Sequence, residues 1–131
     1  MNKKDIVNAL KDQLDGTIFG LGLSMPNVDY SGGRPYIEVS FPDAARSGGT
    51  LKGGEIVREI GRMSVVVCTD LDKGEDEAND FADQVAAKFP EGKSFPITGG
   101  KVIITAPPDI RGGFRDGPEW RVPVIVRYLA S

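Results

Sequence analysis

The side chains that could do chemistry in this chain are few, and they are not grouped. Among 131 residues there is no histidine and one cysteine, Cys68. That removes the Ser-His and Cys-His pairs that activate nucleophiles, and every histidine-based metal site. Cys68 closes the apolar run Val65-Val66-Val67-Cys68. It reads as a small core residue, and a lone thiol with no partner for a disulfide suits a reducing compartment. Carboxylates are plentiful, but no spacing singles out an acid/base pair.

Three glycine-rich or acidic stretches were tested against ligand motifs. Gly99-Gly100-Lys101-Val102 fails the phosphate-loop pattern twice, with Phe95 where glycine is needed and Val102 where Ser or Thr is needed. A turn entering a strand is the simpler reading. Gly20-Leu21-Gly22 lacks the third glycine and the βαβ frame of a dinucleotide turn. The cluster Asp70-Leu71-Asp72-Lys73-Gly74-Glu75-Asp76-Glu77 lacks glycine at the sixth position of a calcium loop and has Phe81 at the twelfth. It fits an acidic first turn of a helix. No cofactor and no metal site is expected.

What remains is charge and apolar surface placed for contact. Arg46, Lys52, Arg58, Arg62, Arg111 and Arg115 concentrate in a loop, a long strand and a hairpin tip, where Leu51, Ile110 and Phe114 add apolar weight. Solvated charge is the plain reading, and complementary charge at a subunit or partner interface is the functional one. These nine residues are the candidate interface. A base-reading surface is disfavoured, because no aromatics interleave the cations and the net charge is −3. Trp120 reads first as core and second as an interface anchor.

The elements that must position these residues follow from periodicity. With 40% hydrophobic and 27% charged residues, the composition is that of a globular protein, and the length fits one domain, 1–131. No apolar run is long enough to span a bilayer, and no signal peptide is visible behind Lys3 and Lys4. Ile6, Ala9, Leu10 and Leu14 predict a helix over 3–14, with Asn2 as a possible cap. Residues 15–35, punctuated by glycine and proline, read mostly as loop, with Thr17-Ile18-Phe19 as a candidate short strand. Ile37, Val39 and Phe41 alternate with polar residues, which predicts a strand over 36–41 ended by Pro42.

Residues 42–54 read as a flexible loop and 55–69 as one long strand, with Ile56, Arg58, Ile60 and Arg62 on one face. Fifteen extended residues reach roughly 50 Å, against a diameter of roughly 36 Å for a domain of this size. The strand therefore bends, at Gly61, or its first half projects with the 42–54 loop as an arm.

Ala78, Phe81, Ala82, Val85, Ala86 and Phe89 form one helical stripe over 73–89, with Asp72 and Glu75 at capping-box spacing, and Pro90 stops the helix. Alternation over 101–106 and 119–129 predicts a hairpin whose long glycine-rich tip is 107–117, and Pro123 places the last strand locally at an edge. The expected fold is α+β, a mixed and mainly antiparallel sheet of four to five strands with two helices on one face and a projecting β-arm.

The segment from Tyr36 to Tyr128 resembles the tail-terminator-like family of tailed phages and prophages. The resemblance is carried by the strand Tyr36–Phe41, the glycine-rich loop, Gly61-Arg62-Met63, the turn Phe89-Pro90-Glu91-Gly92, and Gly99-Gly100-Lys101-Val102-Ile103-Ile104. The ending Asp116-Gly117-Pro118-Glu119-Trp120-Arg121-Val122-Pro123-Val124 completes it. Such a resemblance implies a small structural protein of the lambda-terminator type. It would assemble with itself into a six-fold ring, bind the end of the tail tube protein, stop its polymerisation and offer the surface for a head-neck connector protein. It implies no catalytic residue. It also implies assembly in the host cytoplasm and residence at the head-proximal end of the virion tail, with DNA passing through the lumen unbound. A different neck, head-completion or tail-tube role is the alternative within phage assembly, and a small nucleic-acid-binding module is the alternative outside it.

Overall fold

The structure is a computed structural model that describes residues 3–14, 22–24, 35–47, 58–71 and 74–131. Two helices, α1 (Lys3–Asp12) and α2 (Gly74–Ala87), lie on one face of a single sheet. The strands are β1 (Gly22–Ser24), β2 (Tyr36–Ser47), β3 (Arg58–Asp70), β4 (Ser94–Ile97), β5 (Gly100–Ile104), β6 (Asp109–Ile110), β7 (Phe114–Asp116) and β8 (Glu119–Ala130). Their order is β1-β2-β3-β8-β5-β4, with β6 and β7 also paired to β8. β1 joins in parallel and the other seven pair antiparallel. The α+β class and the mainly antiparallel sheet agree with the sequence. The number of strands does not, being eight among the described residues rather than four to five.

The period-two pattern explains the core. Val65, Val67, Val122, Val124 and Val126 are fully buried and meet across the β3–β8 ladder. Ile37 and Val39 extend that row onto β2. Ile6 and Leu10 of α1 and Ala78, Ala82 and Val85 of α2 close over it, so both amphipathic stripes gain their stability from the sheet beneath. Acids in the first turn of each helix, Asp5 in α1 and Glu75, Asp76 and Glu77 in α2, complement the helix dipole. The proposed caps Asn2 and Asp72 and the strand at 17–19 lie outside the described residues. No helix of the described residues is long and apolar enough to cross a membrane.

Two expectations differ from the structure. β2 does not end at Pro42. Its register with β3 shifts between Ser40 and Asp43, so a bulge absorbs the proline and pairing resumes through Ser47. Residues 42–47 are thus strand and not the start of a free loop, while 48–54 fall outside the described residues. The first half of β3 does not project: Arg58–Ile60 pairs with β2, and Glu59 and Ile60 pair also with β8. The hairpin tip at 107–117 also holds two short strands, β6 and β7, that fold back along the edge of β8.

Pro123 explains the interruption between those two short strands. The Arg111 amide donates to the Pro123 carbonyl at 2.8 Å. In an antiparallel ladder a residue's N–H and C=O face the same neighbour. The missing N–H therefore falls on the β6 side, and the β3 ladder is intact. The strand is interior as a whole and edge-like at this point, as the proline predicts. The glycines compared above with a phosphate loop are the β4–β5 hairpin, in which Ile97 pairs with Gly100.

Candidate assembly interface

Register sorts the sheet into two faces. The face under the helices carries the core. The other face carries Glu38, Arg58, Ile60, Arg62, Val66, Arg121, Ile125, Arg127 and Leu129, and neither described helix covers it. Ile60 is 51% exposed and Phe114 is 47% exposed. Phe114 stands opposite Arg121 and so belongs to the same outer face.

At one end of that face a polar cluster surrounds Arg121. Its guanidinium approaches Glu119 at 3.1 Å, Asp116 at 3.2 Å and Glu38 at 3.4 Å. The Tyr36 hydroxyl donates to Glu119 at 2.8 Å. Burial and that hydrogen bond raise the Tyr36 phenol above its ordinary range. Cys68 lies beneath this cluster, fully buried, and burial pushes its thiol up to about 11. A thiol so protonated is a poor nucleophile. Cys68 should therefore resist a maleimide at neutral pH in the folded protein and react promptly in denaturant. Comparable rates in both states would contradict its place under Tyr36 and Arg121.

At the other end, Arg62 makes a two-pronged pair with Asp43, Nε to Oδ1 at 2.9 Å and Nη2 to Oδ2 at 2.8 Å. The Arg62 hydrogen bond holds the Asp43 carboxyl below its usual range. Arg127 follows in the same cross-sheet row, register-paired with Arg62, and has no ion pair among the described residues. Between this row and Ala45 and Ile60 runs a groove of about 410 Å³, with Thr105 at its far side.

Beneath the helices, at the same end, a buried polar network ties α1 to the sheet. Lys3 Nζ donates to Glu59 Oε2 at 2.9 Å and to the Tyr128 hydroxyl at 3.2 Å, and Tyr128 donates to Glu59 at 2.7 Å. Glu59 is 1% exposed. Nothing in its local sequence marks it as buried, because its cation is 56 positions away.

The nine residues picked from the sequence separate in space. Arg58 and Arg62 share the outer face of β3, as their spacing predicts. Arg46 lies on β2 opposite Glu59. Leu51 and Lys52 lie outside the described residues. Ile110 pairs with Val124 and so turns to the helix side, Arg111 pairs with Asp109 at 2.9 Å, and Arg115 stands opposite Trp120. Of the tip, Phe114 and Arg111 join Arg58 and Arg62 on the outer face, Arg111 standing opposite Pro123 and held by Asp109. Sequence reasoning placed Ile60 on this face without choosing it for the interface, and it missed Arg127, although the β8 alternation that puts Val126 and Tyr128 inward puts Arg127 outward.

Trp120 is partly buried and packs against the core, its Nε1 buried without a hydrogen-bond partner, and the backbone of the tip crosses its ring. A Cβ added at Gly113 would sit 2.6 Å from Trp120 Nε1 and Cζ2. Gly113→Ala should therefore lift the tip and let water reach the indole. With one tryptophan in the chain, a red shift of the emission reports this directly, and an unchanged spectrum would contradict the contact.

Among the described residues no group of His, Cys, Asp and Glu could hold a metal ion. The geometry offers surfaces, charge rows and a groove. A family model described as phage tail terminator protein matches residues 5–128. A solved structure that carries no functional name aligns with a TM-score of 0.81 at 18% identity, covering 100% of this chain and 96% of its own. At that identity the likeness shows the fold alone. No curated protein matches the chain.

Proposed function

We propose, because this chain belongs to the phage tail terminator family, that it caps the tail tube, ends its polymerisation and forms the surface that the head joins. Membership makes it a structural protein of a phage tail and places it outside enzyme families. The match over nearly the whole chain is the observation that carries the reading. A chain without histidine supports it, as does an outer sheet face that combines apolar residues with ordered charge rows.

In this reading the protein closes with itself into a ring, a hexamer, that meets the tail tube protein on one side and a head-neck connector protein on the other. It assembles in the host cytoplasm and remains at the head-proximal end of the tail. Six copies at −3 each bring about −18 to such a ring, and an inner wall of that sign lets DNA slide past without sticking. A basic inner wall would rule that last step out.

Electron microscopy of tails made without this protein tests the reading. Overlong tubes of uneven length are expected. Headless tails of normal length would assign the protein to joining alone.

A further inference from the structure

We propose that the outer sheet face docks on the same face of a second copy, related by a twofold axis that lays the Arg121 end of one over the Arg127 end of the other. The inference stands apart from tail capping and rests on this face alone.

The face reverses its charge from end to end. Glu38, Asp116 and Glu119 surround Arg121 at one end, while Arg58, Arg62 and Arg127 gather at the other, with Asp43 held by Arg62. Three carboxylates around one guanidinium therefore stand opposite three guanidiniums around one carboxylate. Between them lie Val66, Pro123, Ser64 and Ile125, small or apolar, with Asp109 and Arg111 at their β6 edge neutralising each other. A surface of this kind complements itself when turned around, because each end then meets its opposite. That is the condition for an isologous contact, in which residue i meets j and j meets i. Two sheets packed face to face in aligned fashion lie about 10 Å apart, close enough for both ends to engage at once.

Shape supports the same arrangement. An axis lying in the face and running across the strands keeps each strand's side-to-side position and reverses its direction. Phe114 stands on the β7 side of β8 opposite Arg121, six register positions, or three same-face steps, from Arg127. Turned over, it falls at the Thr105 and Arg127 side of the partner's groove, whose volume of about 410 Å³ accommodates an aromatic ring. Arg127, with no ion pair among the described residues, is then placed against the ring, where a guanidinium is attracted to the π face. Two of the three exposed large apolar residues among the described residues, Ile60 and Phe114, would be covered together. A cyclic ring closes through a different, head-to-tail contact, so this twofold adds to a ring and does not replace it.

Charge exchange combined with light scattering tests the contact. One variant, Arg58→Glu with Arg127→Glu, makes both ends acidic. The other, Glu38→Lys with Asp116→Lys, makes both ends basic and leaves Glu119 to hold Arg121. Wild type is expected as an even-numbered assembly whose mass falls as salt is raised. Each variant alone should lose about a hundredfold in pairing affinity and run at half the mass. An equal mixture of the two should restore the full mass, which also shows that both are folded. Phe114→Ala should weaken pairing about tenfold with charges unchanged. A wild type that stays monomeric or odd-numbered, a mass that neither variant moves, or a mixture that does not recover would overturn the proposal. Intact tail capping by an unpaired wild type would overturn it while leaving the tail-end reading standing, and pairing without capping would do the reverse.

Discussion

Gly61→Ala should lower the melting temperature by about 10 °C. A Cβ at this position would stand 2.6 Å from the Tyr128 hydroxyl, 2.8 Å from Tyr128 Cζ and 3.1 Å from the Asp43 carbonyl. An overpacked core usually costs about 1–3 kcal/mol, and here the neighbour cannot yield. Tyr128 is fully buried, and its hydroxyl is held by Glu59 at 2.7 Å and by Lys3 at 3.2 Å. The cost therefore belongs at the upper end, about 3 kcal/mol, which for a chain of this length corresponds to roughly that shift. Gly112→Ala is the control, since nothing lies within 4 Å of its added carbon; it should change stability by less than about 0.5 kcal/mol. Equal melting temperatures for the two variants would contradict the packing of Tyr128 across β3.

The second large effect concerns the network beneath α1. Removing one partner of a buried pair leaves the other charge uncompensated, at about 3–5 kcal/mol when both are enclosed. Lys3 remains 36% exposed while Glu59 is 1% exposed, so water relieves part of the loss. Lys3→Met should cost about 2 kcal/mol. Glu59→Ala should cost about 3 kcal/mol, because it removes the acceptor of two hydrogen bonds and also leaves space in the core. The double variant should cost less than the two singles added, since each already breaks the shared contact. Denaturant unfolding of the four proteins measures this. Strict additivity would show that α1 is not tied to the sheet through this pair.

Much of the fold was legible because two simple periods carry it. Val122-Val124-Val126-Tyr128 alternates without a break, and every one of those residues is buried. The stripe Ala78, Ala82, Val85 of α2 was readable in the same way. What was hidden depends on pairing between distant segments. β6 and β7 have two and three residues and no propensity of their own, and they exist because β8 offers an open edge beside Pro123. β2 continues past Pro42 because one bulge spares the ladder the missing N–H. Glu59 looked like surface charge in a mixed segment until α1 brought Lys3 to it.

The surface was legible in part for the same reason. Arg58 and Arg62 are two strand positions per step, so their common face follows from spacing alone. That Phe114 shares it, and that Ile110 does not, depends on the register of the tip against β8, and no local pattern states that register. The tip and the strand arginines therefore do not form one surface at Ile110 and Arg115, which turn to the helix side, while Phe114 and Arg111 share the face of Arg58 and Arg62.

The central claim is that this protein acts by fitting the end of a growing tube. Purified protein added to polymerising tail tube subunits, with tube length scored by electron microscopy, tests it most directly. Added in excess, the protein should halt growth early, give short tubes of narrow length distribution and appear as a ring at one end only. Tubes of unchanged length, or protein bound along their sides with no preference for an end, would contradict the account.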